Sequence, residues 1–236
     1  RPLSLYFHLP FCDTICFYCA CNKIVTKNRK RSQPYLDSLY QEIALQAELF
    51  DTTRKVDQLH WGGGTPTFLD NEQIHELMSV IRRHFTLHTD DGGEYSIEID
   101  PRSVDHAKLQ VLREAGFNRI SLGVQDFNPE IQKAVNRIQS EAMTREVTES
   151  ARSLGFNSVN MDLMYGLPLQ TIDTFSETLR QTVAINPDRI AVYNYAHLPT
   201  RFKPQRRIQE DDLPSPDEKL DILQFTIEYL SESGYI

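Results

Sequence analysis

The chain has 236 residues, 40% of them apolar and 25% charged, with 10 Gly and 12 Pro, a globular composition that excludes a disordered, collagenous or fibrous protein. Lys and Arg total 25 against 33 Asp and Glu, a formal charge of −8, so neither nucleic acid nor an anionic membrane is an expected partner. No apolar run approaches the ~20 residues of a membrane span and no signal peptide opens the chain, which predicts a soluble, cytoplasmic protein.

In chain order, short β-rich runs alternate with longer helical stretches. Strands are predicted at Leu3–His8, Val56–Trp61, Tyr95–Ile99, Arg119–Val124, Ser158–Leu163 and Arg189–Tyr195. Helices fit between them at Pro34–Phe50, Asn71–Phe85, Asp105–Ala115, Ala142–Leu154 and Ile172–Ile185, and Pro129 opens a short extra helix before Arg137. Glu72, Ile74, Leu77, Met78 and Ile81 show the helical period. No Gly/Ser linker or low-complexity tract divides the chain, so residues 1–236 are expected to form one unit. Six successive βα units predict an α/β fold with parallel strands, built as an open, partial barrel.

Side chains two apart on a strand share a face. One face of the predicted sheet carries Tyr6, His8, Glu98, Asp100, Ser121, Gly123, Gln125, Asn160 and Asp162. The other carries Leu5, Phe7, Ile97, Ile99, Ile120, Leu122, Val159 and Met161, which suits packing under helices. A polar interior at the carboxyl ends of the strands is where such a fold places chemistry. "REAGFNRISL" (Arg113–Leu122) and "RSLGFNSVNM" (Arg152–Met161) repeat a helix end, a glycine cap, an aromatic residue and a strand. The chain starts without Met and ends on a third copy of that opening, "SESGYI" (Ser231–Ile236), so a fragment is expected.

All 4 cysteines fall between Cys12 and Cys21, spaced Cys12-x₃-Cys16-x₂-Cys19-x-Cys21. A disulfide framework spreads its cysteines along the chain; thiols packed into one loop read as ligands for a soft metal or a cluster. Three close thiolates can hold three corners of an iron–sulfur cube and leave the fourth iron open. A structural zinc site is the alternative, although zinc knuckles usually pair two C-x₂-C units on separate turns and no second unit exists here. "WGGGTP" (Trp61–Pro66) follows the second strand, and consecutive glycines let backbone approach a ligand closely. It lacks the spacing and the Lys of a phosphate loop.

The segment "YFHLPFCDTICFYCACN" resembles the radical S-adenosylmethionine (SAM) superfamily, whose signature is C-x₃-C-x₂-C with an aromatic residue, here Tyr18, before the last cysteine. Within it, "HLPFC", "CACNK", "LHWGGGTPT", "IEIDP", "GVQDF", "VNR", "NMDLMYGLP" and "NYAHLP" are similar, in the same order, to the oxygen-independent coproporphyrinogen III oxidase family. Ala20 stands where that family often has Gly, and the related haem chaperones typically lack the fourth cysteine followed by Asn-Lys, present here as Cys21, Asn22 and Lys23.

The resemblance implies a radical SAM core with a [4Fe-4S] cluster on Cys12, Cys16 and Cys19, and two molecules of SAM. It assigns SAM contacts to Tyr6, Tyr18, Gly63, Gly64, Thr65, Glu98, Gln125, Arg137, Asp162 and Ala196, with Arg137 and Asp162 expected to matter more for the second SAM. It also implies oxidative decarboxylation of two propionates of coproporphyrinogen III to give protoporphyrinogen IX in haem biosynthesis, started by an unidentified one-electron reductant. A monomer is expected, with an N-terminal extension and a C-terminal domain lying outside these residues. A haem chaperone with a similar barrel and a zinc-binding interaction module are the alternatives. His8 is a candidate for electron or proton delivery, and the other histidines are expected to be structural. Two basic runs, Lys27–Arg31 and Arg201–Arg207, are either solvated faces or grips for the substrate's carboxylates, with Arg201, Lys203, Arg206 and Arg207 as candidate contacts.

Overall fold

The predicted alternation is realised in the computed structural model, which describes residues 1–236. The strands are β1 (Leu3–Leu9), β2 (Phe11–Cys12), β3 (Ile24–Val25), β4 (Lys55–Gly63), β5 (Thr86–Leu87), β6 (Glu94–Ile99), β7 (Arg119–Gln125), β8 (Ser158–Tyr165) and β9 (Arg189–Asn194). The helices are α1 (Ser32–Ala47), α2 (Asn71–His84), α3 (His106–Ala115), α4 (Pro129–Ala134), α5 (Glu141–Ser153), α6 (Ile172–Ile185) and α7 (Pro216–Glu232).

Strands β1, β4, β6, β7, β8 and β9 form one parallel sheet in that order, with the two-residue β5 beside the start of β4. Spatial order follows chain order, and parallel neighbours need a crossover, which the helices supply. Crossovers of one hand that always step in the same direction put every helix on the same face. Accordingly α1 touches α2, α2 touches α3, α3 touches α5, α5 touches α6 and α6 touches α7, giving a continuous outer layer. β1 and β9 form the two edges and do not pair, so the barrel stays open.

The core lies between this helical layer and the outward face of the sheet. Phe7, Ile97, Ile99, Ile120, Leu122, Val159 and Met161 are buried there, as alternation predicts, while Leu5 at the β1 edge is half-buried. Trp61 and Phe117 meet edge-to-face at its centre, ring centroids 4.8 Å apart. The repeated helix ends share one geometry. Gly116, Gly155 and Gly234 take left-handed φ of 110°, 79° and 91°. The next residue's N–H, on Phe117, Phe156 or Tyr235, reaches back to Leu112, Ala151 or Leu230. This is the six-to-one bond of a glycine-capped helix, and it turns the chain from helix toward strand.

Helix α1 starts at Ser32, two residues before the expected Pro34, because proline is tolerated in a first turn. It stops at Ala47, and Leu49 and Phe50 project outward from the turn that follows. No helix is long and apolar enough to cross a membrane.

Candidate functional site

The carboxyl ends of the strands open onto a cavity of about 1420 Å³, above the roughly 300–1,000 Å³ of most small-molecule pockets. Cys12, Cys16, Tyr18, Cys19 and Cys21 line it from the loop after β1; Gly63, Gly64 and Thr65 from the end of β4; Glu98, Gln125 and Asp162 from β6, β7 and β8; and Arg137 from the segment after α4. Two of the SAM contacts that the resemblance implies, Tyr6 and Ala196, do not line it. Tyr6 is exposed, stacks on His60 with ring centroids 5.8 Å apart, and pairs its hydroxyl with His8 Nδ1 at 3.1 Å. Ala196 lies exposed beyond β9, and its carbonyl accepts a hydrogen bond from Gln205 Nε2 (3.2 Å).

The cysteine loop is pinned on both sides. The short β2–β3 pair closes its base, and the Phe17 N–H donates to the Val135 carbonyl (2.9 Å). Beneath it Cys16 and Tyr18 pack with Ile131, Val135, Leu167, Tyr195 and Ile208 in a second, small apolar cluster. Each of three sulfurs has its own polar neighbourhood. The Thr65 hydroxyl points at Cys12 Sγ (3.6 Å), and Arg137 Nη1 and Arg102 Nη2 point at Cys16 Sγ (3.5 and 3.8 Å). A hydrogen bond from the Cys21 thiol pulls Cys19 down to about 5 against the opposing effect of burial, with Lys23 helping. The same bond and burial push Cys21 up. Burial also pushes Cys12 up.

The glycine run is explained by what surrounds it. Gly63 has φ +115°, and a Cβ there would meet the His8 imidazole at 2.5 Å; one on Gly64 would meet the Pro10 and Phe11 backbone at 2.7 Å. The Gly64 and Thr65 N–H groups donate to the Leu9 and Phe11 carbonyls (2.9 and 2.7 Å), which locks this loop to the cysteine loop. Glu98 accepts from the Gly63 N–H at Oε2 (3.0 Å) and pairs with His60 Nε2 at Oε1 (3.2 Å). Asp162, half-buried, accepts from Ser121 Oγ (2.9 Å) and Asn160 Nδ2 (2.7 Å), and desolvation raises its pKa.

A charged triad forms the wall next to Cys16. Asp100 accepts from Arg102 at Nε (2.9 Å) and Nη2 (2.6 Å), and from Arg137 Nη1 (3.1 Å). Burial opposes its charge, but the two guanidinium groups hold its carboxyl below the usual range. Arg137 is also bonded through Nε and Nη2 to the Gly123 carbonyl, so its fork is occupied from inside the protein. Sequence reasoning placed Asp100 on the polar face without a role and passed over Arg102. The available signal was position, since both stand just past the carboxyl end of a barrel strand.

Gln125, at the end of β7, has φ +69°, and its side-chain Oε1 is buried without a partner. The register shift between Gly123 and Gln125 turns it into the cavity. Asp126 fixes that turn, accepting from Asn128 N–H (2.6 Å), Gln170 Nε2 (2.6 Å) and Thr178 Oγ1 (3.0 Å). Burial pushes its carboxyl up to about 6. Because the folded-state value exceeds the unfolded value of about 3.9, the folded chain binds more protons between these limits. This group's contribution to stability therefore falls as pH rises from about 4 to 6 and is flat above. Urea unfolding of wild type and Asp126→Asn across that range should show a downward slope in the wild type that the variant lacks. Parallel curves would place Asp126's titration elsewhere.

None of Arg201, Lys203, Arg206 and Arg207 lines the cavity. Arg206 donates to the Pro199 carbonyl, and Arg207 lies over the Phe17 ring at 5.0 Å. From the first basic run Arg29 does reach the cavity, paired with Asp13 (2.6 Å). His8 sits between the Tyr6 hydroxyl and the Asn22 carbonyl (2.8 Å). His60 and His88 each pair with an acidic side chain, and His197 Nδ1 pairs with the Tyr195 hydroxyl (2.7 Å).

Residues 6–182 match the family model described as the radical SAM superfamily. Over all of this chain, identity is 57% to the oxygen-independent coproporphyrinogen III oxidase of Pseudomonas aeruginosa and 54% to that of Escherichia coli, with 51% of each of those proteins covered. The chain thus spans about half the length of the curated relatives it matches. The solved coproporphyrinogen III oxidase from Escherichia coli, described as a radical SAM enzyme, superposes with a TM-score of 0.95 at 53% identity, covering all of this chain and 54% of that one. SuiB from Streptococcus suis, 14% identical with a TM-score of 0.62, shares the fold alone.

Proposed function

Because the chain belongs to the radical SAM superfamily, we propose that it is the catalytic core of an oxygen-independent coproporphyrinogen III oxidase, working with a [4Fe-4S] cluster and SAM. The observation that carries this reading is the convergence of Cys12, Cys16 and Cys19 with the Gly63–Thr65 loop, Glu98 and Asp162 on one cavity.

The donors suit a cluster better than a lone ion. No three His, Cys, Asp or Glu side chains converge on a point fit for one metal ion, whereas in an iron–sulfur cube each thiolate takes a different iron. Hydrogen bonds to cluster sulfurs are also a standard means of tuning such a centre, and Thr65, Arg102 and Arg137 stand ready to supply them. When bound, cluster and SAM would supply a 5′-deoxyadenosyl radical able to take hydrogen from an unactivated propionate carbon; loss of CO₂ and of one electron to an acceptor would then leave a vinyl group.

The chain's own residues hold and orient. Gly63 and Gly64 offer backbone at close range. Glu98, fixed by His60 and the Gly63 N–H, and Asp162, fixed by Ser121 and Asn160, offer carboxylates to hydroxyl or ammonium groups of SAM. Tyr18, Thr65, Gln125 and Arg137 complete the inner wall; Tyr6 and Ala196 belong to the same proposed set from outside the cavity rim. Two molecules of SAM are part of the proposal, and a cavity of about 1420 Å³ supports that count. The partners proposed with this reading are coproporphyrinogen III and a one-electron reductant, for a monomer working in the cytoplasm as the catalytic core, residues 1–236, of a longer protein.

Metal analysis of anaerobically prepared protein tests the reading. About four iron and four acid-labile sulfide per chain are expected; one tightly held zinc without sulfide would overturn it.

A further inference from the structure

Two arginines share one carboxylate in the wall beside Cys16, and their free edges differ. Arg137 is almost fully buried, its side chain 8% exposed, and makes four hydrogen bonds to Gly123, Asp100 and Cys16. Arg102 turns Nε and Nη2 to Asp100 and Cys16, while its Nη1 makes no hydrogen bond within the protein. Its side chain is 21% exposed and lines the cavity. Two N–H donors at Nη1 are therefore unspent within the protein, on a cavity-lining guanidinium clamped through its other edge.

We propose that Arg102 is a carboxylate-binding residue of this cavity, holding the ligand through its Nη1 edge while Asp100 fixes the guanidinium plane. A planar donor group clamped in advance loses little freedom on binding, which favours arginine over lysine for this task. Asp100 is held in turn, because its backbone cap (Arg102 N–H to Oδ1, 3.0 Å) and Arg137 fix it from two other directions. Arg137 then acts as a positioning residue for Asp100 and Cys16. The inference rests on the proposed function for the identity of the ligands. SAM carries one α-carboxylate and the porphyrinogen carries four propionates, and the same donor edge recognises either source.

The test uses the anaerobically reconstituted full chain of wild type, Arg102→Gln and Arg102→Lys. Iron and sulfide are measured first, then equilibrium titrations with SAM and, separately, with coproporphyrin III as a stable stand-in for the substrate. Losing a charge-assisted pair should weaken one of the two affinities on the order of tenfold to a hundredfold in Arg102→Gln, with Arg102→Lys recovering part of the loss. Weakened SAM binding assigns the edge to the α-carboxylate; weakened coproporphyrin binding assigns it to a propionate. Both affinities unchanged, with the cluster intact, would overturn the proposal. Loss of the cluster in both variants would also overturn it, making Arg102 a support for Cys16. A wild type that assembles no cluster and binds neither ligand would instead sink the proposed function.

Discussion

Cys16→Ser is expected to remove most of the iron from anaerobically prepared protein and to abolish SAM cleavage, whereas Cys21→Ser should keep near-normal iron. Cys12, Cys16 and Cys19 each have a polar partner, or a lowered pKa, that suits a thiolate ligand: Thr65 for Cys12, two guanidinium groups for Cys16 and Cys21's own thiol for Cys19. Cys21 is exposed, and its pairing with Cys19 and burial push its own thiol up, which in the proposed site suits a supporting role rather than ligation. Three ligands also leave one iron free for a chelating molecule, which the proposed chemistry requires. Cys12→Ser and Cys19→Ser should behave like Cys16→Ser. Loss of most iron in Cys21→Ser alone would mean four-cysteine ligation and no open iron.

Asp100→Ala should cost about 3–5 kcal/mol of folding stability, the usual consequence of stripping the partner from a buried charge. The side chain is 14% exposed and stands between Arg137 at 8% and Arg102 at 21%. Without it the two guanidinium groups face one another across a half-dry wall, balanced only by Cys16 Sγ and the Gly123 carbonyl. Urea unfolding of wild type, Asp100→Ala, Arg102→Met and the double variant measures the effect. The double variant should be more stable than Asp100→Ala, because removing Arg102 relieves the repulsion. A loss under ~1 kcal/mol in Asp100→Ala would mean that solvent already screens the triad.

Much of the site was legible in the sequence because strand alternation and cysteine spacing are local signals. Ser121, Glu98 and Asp162 fall on the inner face by counting in twos, and the six parallel strands follow from the βα rhythm. What stayed hidden depends on contacts across long stretches of chain. Arg137 is separated from Asp100 by 37 residues and from Cys16 by 121, and no local pattern reveals that its fork is filled from within. The displaced basic run Arg201–Arg207 shows the same limit. Its charges suggested a grip on carboxylates, yet Pro199 and Phe17 engage Arg206 and Arg207 outside the cavity. The two-residue strands β2, β3 and β5 carry too few side chains to show a period. Gln125 is a different case. Alternation put it on the correct face, but the structure gets it there through a left-handed residue and a register shift.

Product analysis decides whether the proposed reaction takes place. Reconstituted full chain would be incubated anaerobically with coproporphyrinogen III, SAM, a one-electron reductant and an electron acceptor, and the oxidised porphyrins separated by chromatography with mass detection. Protoporphyrin IX is expected, with 5′-deoxyadenosine and CO₂ formed alongside it, and none when SAM is left out. Intact coproporphyrin from protein that carries its cluster and cleaves SAM, or transfer of added haem to an acceptor with no decarboxylation, would contradict it.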